Sequence, residues 1–99
     1  MRQSKAKSEI IHAKRRLYER YDIPLNTHQI KELARQIQSA SRKGHDKFVV
    51  FVDRQSLRIT RWFIWLKERW VPVVFDKKRG TIVTFLPPYA LGPPPPIPV

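Results

Sequence analysis

Residues 8–22, SEIIHAKRRLYERYD, decide how the fold begins. Apolar side chains recur there at intervals of three and four residues: Ile10, Ala13, Leu17 and Tyr21. A basic set recurs every four residues on a neighbouring ridge: His12, Arg16 and Arg20. Because both spacings follow the turn of an α-helix, the stretch predicts a helix with one buried face and a basic ridge beside it. Ser8 is its expected N-cap, and the helix should stop by Ile23, which precedes a proline.

A second amphipathic helix is expected after Asn26. Asn26 is a favourable N-cap, and Gln29 occupies the N3 position, where a capping box needs a glutamine or glutamate. The apolar face of this helix has the same helical spacing: Ile30, Leu33, Ala34 and Ile37. Gly44 is the expected C-terminal breaker. The short connection between the two helices predicts that they are neighbours.

From residue 47 the sequence has the composition of β-strands. Runs of β-branched and aromatic residues lie at 48–52, 57–66, 70–75 and 81–86. A hairpin tip is expected at Lys67-Glu68, and a turn at residues 76–80. Pro72 cannot donate to a ladder, so it should face a sheet edge or a bulge. The pattern predicts an α+β domain in which two N-terminal helices pack on a three- to four-stranded antiparallel sheet.

Three segments are expected along the chain: a basic arm over residues 1–7, a single domain over 8–88 and a tail over 89–99. The tail contains five prolines and no regular pattern, so it should be extended and polyproline-like. Two interpretations stay open for it, a disordered terminus or a ligand for a proline-reading partner domain.

Charge gives the clearest indication of a partner. The 99 residues carry 20 Lys and Arg against 8 Asp and Glu, a net charge of +12. Such a surplus favours a polyanion, most often nucleic acid. No apolar run is long enough to cross a bilayer, so no membrane role is expected. The absence of cysteine excludes disulfides and thiolate metal sites and fits a cytoplasmic location.

The chemistry-bearing residues predict a site without metal or cofactor. The three histidines lack metal-ligand spacing, and no glycine-rich phosphate loop is present. Catalysis would then be acid–base chemistry, which suits RNA cleavage because the 2′-hydroxyl supplies the nucleophile. His12 could move the protons, and Arg16 and Arg20 could bind the phosphate. The alternative is that this ridge is a solvated basic face.

Basic residues elsewhere are candidates for holding a nucleic-acid backbone. They occur beside the first helix ridge, along the strands and in the last turn: Arg15, Arg54, Arg58, Arg61, Lys77, Lys78 and Arg79. Those in the strands alternate with tryptophans, a combination that can track phosphates and stack bases. Most of these aromatics could equally belong to the core. Each face of residues 57–66 is mixed, so either face could be the buried one.

The first helix also carries a family resemblance. The motif His12-Ala13-x-x-Arg16-x-x-x-Arg20-Tyr21-Asp22-Ile23, followed by a second helix, resembles the opening of small domains of the BECR superfamily. That superfamily includes RelE/ParE-like toxins and barnase-like RNases, and some members are phage-encoded. The final strand, residues 76–85 (DKKRGTIVTF), is similar to theirs, with Thr84 before the last aromatic residue. The resemblance covers residues 11–87.

The resemblance implies a fold of two helices and four strands and, in active members, metal-independent endoribonuclease activity. It nominates four catalytic residues: His12, Arg16, Arg20 and Thr84. The expected function is therefore a toxin-like endoribonuclease that binds RNA, ribosome-associated RNA included, with an antitoxin as a possible protein partner. The alternative is a non-catalytic phage-type module that binds nucleic acid or protein and inhibits a host nucleic-acid machine.

Overall fold

The helices and strands of the chain follow one another without interleaving. A computed structural model describes residues 5–99. Its helices are α1 (Lys5–Tyr21) and α2 (Thr27–Lys43), and its strands are β1 (Val49–Arg54), β2 (Ile59–Leu66), β3 (Arg69–Asp76) and β4 (Thr81–Phe85). The strands form one antiparallel sheet in the order β1-β2-β3-β4, and both helices pack on it. The predicted α+β layout is confirmed.

The helix ends follow the local chemistry of the sequence. The Asn26 side chain accepts a hydrogen bond from the Gln29 backbone N–H at 2.8 Å, and the Gln29 side chain accepts one from the Asn26 N–H at 2.9 Å. This is the predicted capping box. Gly44 ends α2 in the left-handed region, with φ 78°. Lys5 already lies in α1, so the helix includes residues before the predicted start at Ser8. The first four residues of the predicted basic arm lie outside the described residues.

One face of the sheet and the apolar stripes of both helices form the core. The stripe predicted for α1 is buried: Ile10, Ala13, Leu17 and Tyr21. The core-facing strand residues are Val49, Trp62, Ile64, Val71, Val73, Phe75, Ile82 and Phe85. The register places Trp62 beside Val73 and Ile64 beside Val71, so the even-numbered residues of β2 face the helices. This settles which face of residues 57–66 is buried.

The opposite face of the sheet carries a different set of side chains. Because side chains alternate along a strand, this face includes Arg61, Phe63 and Trp65 of β2 and Trp70 and Val74 of β3. The predicted tip between the two strands is a two-residue turn in which Lys67 and Glu68 both have positive φ, 50° and 62°.

Pro72 lies in an interior strand, but its backbone nitrogen faces beyond the end of β4, because the β3–β4 pairs stop at Val73 and Phe85. The prediction that Pro72 faces an edge is therefore confirmed for this side of β3. Towards β2 it lies opposite Phe63. On its other side the Leu86 N–H donates to the Pro72 carbonyl at 2.9 Å, but Pro72 has no N–H to return. The Tyr21 hydroxyl donates to the Leu86 carbonyl instead, at 2.6 Å. A side chain of α1 thus replaces the missing ladder hydrogen bond.

α1 lies along the edge strand β4 and is attached to it at both ends. At the start, the Glu9 carboxylate accepts hydrogen bonds from the Arg79 guanidinium at 2.8 Å and from the Thr81 hydroxyl at 2.9 Å. At the end, the Arg20 guanidinium donates to the Phe85 carbonyl at 2.6 Å. The Phe85 carbonyl points away from β3, so Arg20 satisfies an acceptor on the free edge of the sheet.

Burial raises the pKa of Tyr21 to about 12, and the neighbouring Arg69 and Arg20 only partly oppose this effect. A group whose folded pKa lies above its unfolded value of about 10 stabilises the fold below pH 10. This contribution is lost as the pH rises from 10 towards 12.

We predict that Tyr21→Phe lowers the free energy of unfolding by about 1–2 kcal/mol at pH 7, because it leaves the Leu86 carbonyl unsatisfied. As the pH rises above about 10, the free energy of unfolding should also fall less for the variant than for the wild type. Urea unfolding from pH 7 to pH 11 measures both effects. Tyr18→Phe is the matched control, since Tyr18 is 57% exposed. Equal stability of Tyr21→Phe and Tyr18→Phe would show that the bond to Leu86 contributes nothing.

Candidate nucleic-acid interface

The basic ridge of α1 is divided between two environments. His12 is exposed. Arg16 forms an exposed ion pair with Glu19 at 3.3 Å, one turn further along the helix. Arg20 is half-buried and donates to the Phe85 carbonyl. The ridge therefore has one end anchored on β4 and the other open to solvent.

Thr84 is next to the residue that Arg20 contacts, but its side chain lies on the other face of the sheet. Thr84 pairs with Val74, whose neighbours Val73 and Phe75 are in the core beneath the helices. Side chains directly opposite each other share a face, so Thr84 projects away from the helices. Within the described residues, no hydrogen bond links Thr84 to His12, Arg16 or Arg20.

Three of the nominated arginines are held by carboxylates within the protein. Arg58 donates to Asp76 through Nε at 3.2 Å and Nη2 at 2.5 Å. Arg61 forms a two-point contact with Asp53, with Nε at 2.7 Å from Oδ1. Arg79 is paired with Glu9. These arginines have internal partners, so they are less available to bind phosphate.

Four nominated cations have no such partner among the described residues: Arg15, Arg54, Lys77 and Lys78. All four are exposed. Arg15 lies on α1 beside His12, whereas Arg54 ends β1 and the two lysines lie in the turn between β3 and β4. Arg54 and Lys77 line one groove, so these two are the nominated cations that the fold brings together.

That groove, which we call the β1 groove, has a volume of about 780 Å³ and lies between the C-terminal end of α2 and strands β1 and β2. Its lining residues are Ala40, Ser41, Gly44, His45, Asp46, Lys47, Val49, Val50, Phe51, Arg54, Thr60, Trp62 and Lys77. It contains three permanent cations and one carboxylate, and that carboxylate accepts a hydrogen bond from the Phe48 N–H at 2.8 Å. The groove is therefore positively charged.

An aromatic ring lies in the wall of the β1 groove. Phe51 is 52% exposed, which is unusual for a large apolar side chain in a strand. Its ring meets the buried Trp62 ring edge to face, with the centroids 5.1 Å apart. Trp62 is itself fixed by a hydrogen bond from its indole N–H to the Thr60 hydroxyl at 2.8 Å. Phe51 is thus held by a rigid neighbour while much of it stays open to a ligand.

A second groove, of about 590 Å³, lies between the two helices and the turn before β4. Its cations are Lys31, Arg35 and Arg79. Arg35 pairs with Glu32, and Arg79 pairs with Glu9. Its lining contains no aromatic residue, so it combines fewer features of a nucleic-acid site than the β1 groove.

The sequence patterns nominated Arg54 and Lys77, and they offered Trp62 as a base-stacking or core residue. They missed Phe51, His45 and Lys47. The run at residues 48–52 predicts a strand, yet nothing in it shows that Phe51 is exposed. Val49, on the same strand and the same face, is buried, so the strand pattern alone does not distinguish the two positions. One local signal was present: Arg54 follows Phe51 by three positions, which suggests a mixed aromatic and basic surface.

Comparison of the chain with protein-family models, with curated proteins and with solved structures finds no match. No helix of the described residues is long and apolar enough to cross a membrane. The same residues contain no group of three or more His, Asp or Glu side chains arranged to hold a metal ion.

The ion pair between Arg58 and Asp76 supports the base of the sheet. Burial of Asp76 acts to raise the pKa of its carboxyl, but hydrogen bonds from Arg58 and from the backbone N–H groups of Arg79 and Lys78 outweigh it and lower that pKa. A carboxyl with a lowered folded pKa stabilises the fold above its unfolded pKa, about 4. The contribution is lost as the pH falls below that value.

We predict that Asp76→Asn lowers the free energy of unfolding at pH 7 by about 2–3 kcal/mol, because Arg58 and two backbone donors lose a charged acceptor. This decrease in the free energy of unfolding is smaller than for a fully buried ion pair, because the Arg58 side chain is 38% exposed. Below about pH 4 the difference from wild type should shrink. Chemical unfolding across this range measures it, with the exposed Glu68→Gln as control. A difference that stayed constant with pH would contradict the assignment.

Proposed function

We propose that this protein is a non-catalytic RNA-binding domain that holds a single-stranded segment in the β1 groove. Phe51 would stack on a base, and Arg54 and Lys77 would contact the flanking phosphates. The observation that carries the proposal is the half-exposed Phe51 ring in one groove with Arg54 and Lys77, two cations without a carboxylate partner among the described residues. Aromatic platforms combined with basic residues are how proteins bind single strands without reading their sequence.

The positive charge of the protein favours a polyanion such as RNA over an uncharged ligand. The net charge of +12 attracts polyanions in general, but the surface arginines paired with Asp53 and Asp76 contribute little to local binding. The cations of the β1 groove retain their positive potential, and Arg42 and Lys43 extend it along the last turn of α2. A basic wall beside a stacking ring favours a strand whose bases are unpaired.

Endoribonuclease activity is the second candidate, and one contact favours it. The bond from Arg20 to the Phe85 carbonyl joins the end of α1 to the end of β4, as the BECR resemblance implies. Two facts weigh against a catalytic site there. Thr84 projects from the opposite face of the sheet, and His12 is exposed to solvent. An acid–base group must come within hydrogen-bond reach of the proton that it moves.

We predict that Arg54→Gln combined with Lys77→Gln weakens binding of a short labelled single-stranded RNA. The logarithm of the binding constant should also depend less steeply on the logarithm of salt concentration, by about 1.4, because two phosphate contacts are lost. Phe51→Ala should weaken binding about 5- to 150-fold, the effect of losing about 1–3 kcal/mol of base stacking, without changing the salt slope. Fluorescence anisotropy at several salt concentrations measures both effects.

The matched control is Lys14→Gln combined with Arg15→Gln, which removes the same two residue types from α1. It should leave the salt slope unchanged. If the control lowers the slope and the groove variant does not, the interface lies on α1 and the proposal is wrong. Single-stranded DNA and duplex RNA of the same sequence serve as competitors. Stronger competition by the duplex would contradict a stacking site for unpaired bases.

We predict that the wild-type protein leaves total RNA intact in the presence of EDTA, because the geometry favours binding without cleavage. His12→Ala should behave identically in this assay. Gel electrophoresis of the RNA over time is the measurement. RNA cutting that persists in EDTA and disappears in His12→Ala would establish the nuclease instead, irrespective of the binding results.

A further inference from the structure

The chain after β4 folds back onto the sheet. Two consecutive turns reverse its direction: the Ala90 N–H donates to the Pro87 carbonyl and the Gly92 N–H to the Tyr89 carbonyl, each at 3.1 Å. Tyr89 and Gly92 adopt positive φ values of 68° and 83° in these turns. The segment after them, residues 93–99, has the sequence PPPPIPV. It contains no helix or strand.

Burial along this segment repeats every three residues. Gly92, Pro95 and Pro98 are half-buried, whereas the residues between them are exposed. A polyproline II helix has three residues per turn, so residues at this spacing form one ridge. Consecutive prolines fix φ near the polyproline II value and restrict the preceding residue in the same direction. The sequence and the burial period of the tail are therefore those of a polyproline II helix with one ridge against the protein.

The tail contacts Trp70, which belongs to a cluster of three aromatic rings, Phe63, Trp65 and Trp70, that we call the aromatic cluster. The Trp70 ring meets Trp65 at 5.2 Å and Phe63 at 6.4 Å, both edge to face. The cluster lies on the sheet face away from the helices. Phe63 is nevertheless only 5% exposed, and it does not belong to the helix-side core. The Trp70 ring supplies part of its cover.

Polar contacts fix the position of the tail on this surface. The Trp70 indole N–H donates to the Pro96 carbonyl at 3.2 Å. The Lys47 ammonium donates to the Val99 carbonyl at 3.4 Å. From β3 to the side of β1 is about 9.6 Å, two strand spacings, and three residues of polyproline II span about 9.3 Å. The stretch from Pro96 to Val99 is thus about as long as the spacing between β3 and β1.

We propose that the aromatic cluster is a binding site for proline-rich segments in the polyproline II conformation, and that residues 92–98 are its resident ligand. Polyproline II has no internal hydrogen bonds, so its carbonyls are free to accept from an indole N–H. Aromatic-lined surfaces with such a donor recognise proline-rich peptides. The tail is attached through exposed contacts, so a proline-rich segment of another protein can replace it.

The resident tail sets the conditions under which another segment can bind. A short linker of about five residues gives the tail an effective concentration in the millimolar range at the cluster. A free peptide must exceed that concentration to displace the wild-type tail. Weakening the tail in the full chain should therefore expose the site without removing any part of the protein.

The test uses the full-length chain and a synthetic peptide of residues 92–99, GPPPPIPV. Pro95→Ser combined with Pro98→Ser removes the ridge that faces the cluster. We expect this variant to bind the peptide at least tenfold more tightly than the wild type. Pro93→Ser combined with Pro94→Ser is the matched control, because it removes two exposed prolines and should leave peptide binding at the wild-type level. Calorimetry measures the affinities.

A second measurement follows the indole N–H of Trp70 by NMR. In Pro95→Ser/Pro98→Ser its resonance should move from the wild-type position, and added peptide should return it. Trp70→Phe introduced into this variant keeps a ring but lacks the N–H, so peptide affinity should fall at least fivefold. The proposal is overturned if the Pro95→Ser/Pro98→Ser variant does not bind the peptide, or if Trp70→Phe leaves that binding unchanged.

Discussion

A missing backbone donor at the end of the β3–β4 ladder helps to fix where the first helix lies. Pro72 cannot supply the N–H that the Leu86 carbonyl would receive in a regular ladder. The Tyr21 hydroxyl supplies it at 2.6 Å, which requires the last turn of α1 to sit at the end of β4. Arg20 attaches the same turn to the outward-facing Phe85 carbonyl at 2.6 Å. Glu9 attaches the other end of the helix. Contacts at both ends therefore fix the orientation of α1 along β4, and the faces of α1 that do not pack on the core stay open to solvent.

The features that were predicted well from the sequence depend on residues close together along the chain. The capping box of α2 joins residues three apart, and the tip at Lys67-Glu68 needs only two residues with positive φ. The pairing of arginines depends on contacts at longer range. Arg58 and Asp76 are 18 residues apart, and they meet only because β2 and β3 pair in one register. Sequence alone therefore nominated Arg58 as a phosphate ligand, although the fold provides it with a carboxylate.

The candidate site follows from how the fold distributes its few carboxylates. Five of the eight acidic side chains, all within the described residues, form ion pairs with arginines: Glu9, Glu19, Glu32, Asp53 and Asp76. Those pairs lie on the helices, on the far face of the sheet and at its base. The lining of the β1 groove includes one carboxylate, Asp46, which caps the start of β1. Local charge, more than the total of +12, therefore separates this groove from the rest of the basic surface.

Lys47 connects the two surfaces that the proposals concern. It lines the β1 groove, and its ammonium also donates to the Val99 carbonyl at the end of the tail, 3.4 Å away. Phosphate oxygens are charged acceptors, so a strand bound in the groove would compete with Val99 for this ammonium. Substitution of Lys47 would therefore disturb both surfaces at once. Lys77 in the groove and Trp70 under the tail each touch one surface, so changes at these positions separate RNA binding from proline recognition.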